Sequence, residues 1–250
     1  MTPAADHVEY VRTSSVRSAV LTAVYDAPRS TTDLVADLDA SESAVYAGVN
    51  ALAERGLLAD SDGDWTVTGL GALVWDCLDR ERKVQRLLAA DETYWERHDP
   101  TAIPPRHRRF EVFADATVLR ATDADPHRVT RAVADRIRDA DRAWVLAAIY
   151  HPEFAAATET CSDARIVVDR SVPDAVDEES EGASEVPVRV GEVPFSLTVT
   201  DDSTLLSLPR LDGSYDARSE LVAESTPAVE WATDLFETYW ADAMPVADTV

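Results

Sequence analysis

STTDLVADLDASESAVYAGVNALAERGLL, residues Ser30 to Leu58, divides into two short amphipathic segments around Asp39-Ala40-Ser41. In the first, Ser30 stands as a helix N-cap, with Asp33 three residues on, where a capping box places Glu or Gln. The predicted helix, Thr31 to Leu38, turns Leu34, Val35 and Leu38 inward. Ser41 opens a second helix whose inward face carries Val45, Val49 and Leu52, and Gly56 stands where a left-handed residue ends a helix. Two short helices joined by a tight turn have the spacing of a DNA-reading module. Yet the stretch holds five acidic residues and one arginine, poor chemistry for a polyanion.

The flanking sequence extends the pattern. Upstream, Val16, Val20, Leu21 and Val24 set a helical period over Val16 to Asp26, broken by Pro28 and Arg29. Downstream, Leu57 to Ala59 and Trp65 to Val67 read as short strands joined by an Asp62-Gly63 hairpin turn. Three helices and a hairpin in this order predict a winged helix-turn-helix over residues 10–68. Thr68 then caps a connecting helix over residues 69–92, with an apolar stripe through Leu70, Leu73, Val74, Cys77, Leu78, Val84, Leu87 and Leu88. The stripe is longer than one small domain needs, so part of it is expected to pack on a second domain or a partner subunit.

Residues 93–242 predict an α/β domain, giving a mixed α+β and α/β chain overall. Thr93 to Arg97 continues a helix, prolines at 100, 104 and 105 mark a loop, and Arg106 to Ala114 reads as helical. Ala116 to Arg120 is a candidate strand and Pro126 to Asp139 a helix with Val129, Val133 and Ile137 inward. AWVLAAIY, Ala143 to Tyr150, is a nearly unbroken apolar run, as in a strand buried on both faces. A helix from Pro152 and the strand Arg165 to Asp169 complete a parallel βαβ unit. Asp174 to Glu185 reads as a solvated loop or mobile linker. Val188 to Val190 follows as a short strand, then a hairpin of Phe195 to Thr200 and Ser203 to Leu208, a turn at Asp212-Gly213 and a closing helix, Thr226 to Ala241.

The charge concerns the solvent. Of 250 residues, 47 are acidic and 23 basic, giving a net charge of −24, and Lys83 is the single lysine. That much like charge repels itself in dilute buffer. Molar salt shrinks the screening length to roughly 3 Å and removes most of the repulsion. The acids are spread along the whole chain rather than gathered in a tail that mimics nucleic acid. With Asp favoured over Glu and Arg over Lys, the composition resembles cytoplasmic proteins of extreme halophiles. A cytoplasmic protein is expected, since no apolar run is long enough to span a membrane and the N-terminus lacks the order of a signal peptide. Cys77 and Cys161, with no partner motif, are expected as reduced core residues.

Counting narrows the enzyme hypotheses. The lone lysine sits in no Gly-rich loop, and neither a G-x-S-x-G elbow nor a G-x-G-x-x-G turn occurs. The five histidines show no metal-ligand spacing, and His98 and His107, beside the proline loop, are expected exposed. No metal, cofactor or catalytic residue is therefore expected. What remains is the second helix, whose outward positions are Glu42, Ser43, Ala44, Tyr46, Ala47 and Asn50. Ser43, Tyr46 and Asn50 offer hydrogen bonds to bases and phosphates, and Ala44 an apolar contact for a thymine methyl. Ser30 and Ser41 add hydroxyls at helix N-termini, and Arg29 and Arg55, then Arg12 and Arg17, are the nearest cations. The expected partner is double-stranded DNA, bound by a homodimer.

These pieces resemble a family. SESAVYAGVNALAERGLL (Ser41–Leu58) with WTVTGLGALV (Trp65–Val74) resembles archaeal winged helix-turn-helix transcriptional regulators. RHDPTAIP (Arg97–Pro104), IYHPEF (Ile149–Phe154), SLTVTDDSTLLSLPRLDGSYD (Ser196–Asp216) and EWATDLFETYW (Glu230–Trp240) are similar to the methanogenesis-regulatory-protein type. The likeness runs from about Val16 to Trp240 and implies an N-terminal DNA-binding domain with a C-terminal domain that senses a signal or mediates dimerisation. The βαβ run is similar to phospholipase-D-like sensor domains, whose catalytic form needs a His-x-Lys motif; the residue two before Lys83 is Glu81, so such a domain binds without hydrolysing. Ligands of parallel sheets sit beyond the carboxyl ends of the strands, which makes Tyr150, His151, Glu153, Asp169 and Arg170 a candidate effector pocket. The competing readings are a protein-interaction module with a vestigial winged helix and a hydrolase of phospholipase-D type.

Overall fold

The computed structural model describes residues 5–172 and 186–245, and the acidic stretch Asp174 to Glu185 lies outside them. The chain forms two compact units, Met1–Arg82 and Lys83–Val250. No described helix is long and apolar enough to cross a membrane.

The first unit is built from α1 (Ala5–Arg12), α2 (Ser15–Asp26), α3 (Thr31–Asp37), α4 (Glu42–Glu54), the strands β1 (Leu58–Ser61) and β2 (Asp64–Val67), and the start of α5 (Gly69–Ala90). Both expected N-caps form. The Ser30 hydroxyl accepts from the Asp33 N–H and the Ser41 hydroxyl from the Ala44 N–H. Leu21, Leu34, Val45, Val49 and Leu52 meet in one core with Leu57, Val74 and Leu78, while Val35 and Leu38 are partly buried at its margin. Gly48 lets α2 approach α4, since a Cβ there would lie 3.2 Å from a Val16 methyl. β1 and β2 pair antiparallel about a turn in which Asp62 (φ 57°) and Gly63 (φ 94°) are both left-handed, as a two-residue hairpin requires. Arg29 forms an isolated antiparallel bridge with Trp65, and the Trp65 indole donates to the Thr31 hydroxyl, tying the entry of α3 to β2.

The second unit is an eight-stranded mixed sheet. It comprises α6 (Glu92–Arg97), β3 (Thr117–Arg120), α7 (Arg128–Arg138), β4 (Arg142–Ala147), α8 (Pro152–Thr158), β5 (Asp163–Asp169), β6 (Val188–Gly191), β7 (Ser196–Val199), β8 (Thr204–Ser207), β9 (Ser219–Ala223), α9 (Thr226–Asp242) and β10 (Met244–Pro245). The strand order is β10-β6-β5-β4-β7-β8-β9-β3. The βαβ unit β4-α8-β5 is parallel, as its apolar strands require; β6 continues it, and the remaining pairings are antiparallel. Alternation along the strands splits the core into two layers. Leu206 and Leu221 face a cluster with Trp231, Leu235 and Phe236 of α9, whereas Leu205 and Val222 face Val129, Val133 and Ile137 of α7.

Several expectations are corrected. Residues 106–114 fold as turns of 3-10 helix, because Arg108 reaches back to the carbonyls of Ile103 and Thr101. A Phe110-Phe113 spacing serves a 3-10 turn as well as an α-helix. β4 stops at Ala147, three residues before the end of its apolar run. His98 is buried, with a partner 118 residues away, and His107 is half-buried. Cys77 is exposed and Cys161 only partly covered, so neither is a fully buried core residue. Of the α5 stripe, Val74, Leu78 and Leu87 are buried, whereas Leu70, Leu73 and Leu88 lie exposed. Strand β9 has no apolar signature in sequence, because its buried Ser219 and Glu220 resemble surface residues.

Candidate nucleic-acid interface

Helix α4 divides cleanly. Val45, Gly48, Val49 and Leu52 are buried, while Ser41, Glu42, Ser43, Tyr46, Ala47 and Asn50 are exposed and Ala44 is intermediate. The free face is thus one of hydroxyls, a carboxamide and small apolar groups, with the Glu42 carboxylate at its N-terminal end and Tyr46 45% exposed. Ser41 and Ser43 hydroxyls lie 3.3 Å apart at its N-terminal end.

The cations near this face are engaged elsewhere. Arg29 pairs with Asp37 at 2.8 Å. Arg17 and Arg55 lie 3.9 and 3.6 Å from the centre of the same Tyr10 ring, and Arg12 pairs with Glu9 and Glu81. Arginine here covers aromatic surface and answers carboxylates. The hairpin tip is acidic as well: Asp60, Asp62 and Asp64 are exposed, and Asp60 accepts from the Gly63 N–H. The unit therefore presents a neutral helix face rimmed by acids.

In the second unit, Tyr150, His151 and Glu153 follow β4 and Asp169 and Arg170 end β5, so the register of two adjacent parallel strands brings them to one end of the sheet. Asp169 is committed to the fold. Burial alone would raise its pKa, but hydrogen bonds from the Ser171 hydroxyl and from the N–H groups of Val193, Ser171 and Arg170 lower it. The His151 ring stacks on Phe154, and its Nδ1 is buried without a partner. Glu153 and Arg170 are exposed.

A buried polar cluster, unsignalled by any local motif, sits where α6 meets β9. The His98 ring nitrogens lie 2.7 Å from the Tyr94 carbonyl and 3.0 Å from Asp216 Oδ2. Burial would push the Asp216 carboxyl up, but donors from Ser219, the Arg218 N–H, His98 and Arg210 outweigh it and hold it at about 2. Ser219 and Asp216 share one ring nitrogen of His98, so this serine, histidine and aspartate lack the two-sided geometry that activates a nucleophile. Next along β9, burial and the Asp216 charge push Glu220 up to about 8. Its carboxyl makes no hydrogen bond to a described residue and borders a cavity of about 20 Å³ with Tyr215, Ser196 and Thr198, room for one water. Among the described residues no three His, Cys, Asp or Glu side chains gather to hold a metal.

Two family models match in tandem. The HVO_A0261 N-terminal domain covers residues 5–88, and the middle domain of methanogenesis regulatory protein FilR1 covers residues 126–242. Residues 126–242 thus belong to the FilR1 middle-domain family of methanogenesis regulatory proteins, and residues 5–88 to the HVO_A0261 N-terminal-domain family. The first match holds every element of the unit that carries α4, and the second holds the sheet from α7 to α9 without its edge strands β3 and β10. No curated protein matches the regulator by sequence. Among solved structures it is similar to TrmBL2, an archaeal chromatin protein whose structure shows a novel mode of DNA binding (TM-score 0.40, 13% identity, covering 96% of this chain and 98% of that one). It is also similar to NucT from Helicobacter pylori (TM-score 0.43, 9% identity, 52% of this chain and 98% of that one). Likenesses this slight carry no argument about function.

Proposed function

We propose that this regulator binds double-stranded DNA sequence-specifically, as a winged helix-turn-helix that reads with α4, and acts as a cytoplasmic homodimer in concentrated salt. The observation that carries the reading is the exposed α4 face, where Ser43, Tyr46, Ala47 and Asn50 stand clear over a buried Val45, Val49 and Leu52. Hydroxyl and carboxamide groups at that spacing suit base edges, and the Ser41 end suits a phosphate. Arg29 and Arg55, both otherwise engaged, contribute less than such cations usually do. A Tyr46→Ala, Asn50→Ala variant that binds its operator as tightly as the parent sinks the assignment of α4.

The dimer reading rests on α5, where Leu70, Leu73 and Cys77 lie exposed at helical spacing, with Leu73 at 66%. A second copy is the occupant proposed, since one short reading helix gives a small footprint that a two-fold copy doubles. Mild oxidation is expected to join two chains through Cys77, and Leu73→Asp to leave a folded monomer.

The second unit is read as a non-catalytic sensing or dimerisation domain of phospholipase-D-like layout, without cofactor. The parallel β4-β5-β6 core supports the layout, and the absence of a His-x-Lys motif argues against hydrolysis. An effector at the carboxyl ends of β4 and β5 would meet the unpartnered His151 Nδ1. One observation favours the rival protein-interaction module: the acidic hairpin tip, which repels phosphate at low salt. That module leaves no DNA footprint at any KCl concentration.

A further inference from the structure

Four arginines of the second unit converge on one cleft. A space of about 480 Å³ is lined by Arg97, Arg120, Arg210 and Arg218 over a floor of His98 and Ser219. Three acids, Glu96, Asp212 and Asp216, also border it. The local balance thus reverses that of the chain, where acids outnumber bases 47 to 23. Such a sparing use of cations makes their gathering on one concave surface informative.

Two of the three acids there are already answered, and Glu96 is exposed to solvent. Asp216 accepts from His98, Ser219, Arg210 and the Arg218 N–H, and Asp212 accepts from the Ser214 N–H and hydroxyl. The arginines keep donors to spare. Among the described residues the Arg97 side chain has no partner, and it is exposed. Arg218 pairs with Asp123 at 3.0 Å, but that aspartate is wholly exposed, and such pairs hold weakly. Arg120 uses Nε and Nη2 on Asp91, and Arg210 uses one Nη on Asp216. A guanidinium fork matches carboxylate and phosphate alike. Beside the arginines, Leu211 stands 68% exposed and Ala121 is half-buried, giving apolar surface within the same cleft.

We propose that this cleft binds a small organic anion, its carboxylate or phosphate gripped by Arg97 and Arg218 and its carbon body resting on Leu211. The volume suits a metabolite, and the concave shape suits a molecule that enters it rather than a duplex that lies across it. Such binding needs the cleft alone and does not depend on DNA binding by the first unit.

The test is calorimetric titration of the full chain with glycerol 3-phosphate, succinate and inorganic phosphate, in the KCl that keeps it folded. Saturable binding of either organic anion is expected, and the preferred one tells phosphate from carboxylate. Arg97→Gln combined with Arg218→Gln should weaken it at least tenfold, with the melting temperature unchanged because both side chains are exposed. Leu211→Asp should weaken the organic anion and spare inorganic phosphate. Four results overturn the proposal: no binding, binding indifferent to the arginine variants, inorganic phosphate bound as tightly as the organic anions, or displacement of the probe by duplex DNA.

Discussion

Glu220 is the residue whose surroundings most constrain the chemistry of the second unit. Its folded-state value of about 8 lies above the ordinary 4.5, so the native state keeps a proton that the unfolded chain releases. Stability is therefore whole below about pH 4.5 and falls as pH climbs towards 8. Glu220→Gln, which mimics the neutral acid, is expected to match the parent at pH 5 and exceed it by a few kcal/mol at pH 9, measured by urea unfolding. Equal curves at both pH values would refute this. Asp216 runs the other way, its contribution lost as pH falls from about 3.8 towards 2. On the proposed reading, Glu42 at the start of α4 and Asp62 at the hairpin tip oppose phosphate. Glu42→Gln with Asp62→Asn is expected to tighten DNA binding several-fold at low salt and hardly at all at molar KCl; equal gains at both would contradict it.

At the scale of elements, α5 runs close against the backbone that leads into β1. A Cβ on Gly71 would lie 2.1 Å from the Leu57 carbonyl oxygen, so Gly71→Ala must push the helix from the hairpin. The expected cost is about 1–3 kcal/mol, and a melting temperature within a degree of the parent would refute it. The elements legible in sequence are those with a local signature. Ser30 and Ser41 marked two helix starts, Asp62-Gly63 marked the hairpin, and the apolar run at Ala143 marked a buried strand. What was not legible depends on distant partners. β9 carries a buried Glu220, His98 meets Asp216 from 118 residues away, and the arginine cleft gathers side chains from α6, β3 and the loop before β9. The outward residues of α4 followed from helical period alone, but the capture of Arg17 and Arg55 by Tyr10 did not.

For the whole molecule, the proposed DNA binding raises the question of how a chain of net charge −24 would approach a polyanion. Ordinary binders gain affinity by releasing counterions from phosphates, a gain that molar salt erases for any protein. If α4 reads DNA as proposed, its largely neutral face loses little by that, while salt screens the acids around it. The decisive measurement is fluorescence anisotropy of an operator duplex, found by genome-wide enrichment, titrated with the regulator from low to molar KCl. Affinity is expected to hold level or rise with KCl and to drop at least tenfold in Tyr46→Ala, Asn50→Ala. Affinity that falls steeply with KCl, or that ignores the two substitutions, would contradict a neutral reading face on α4.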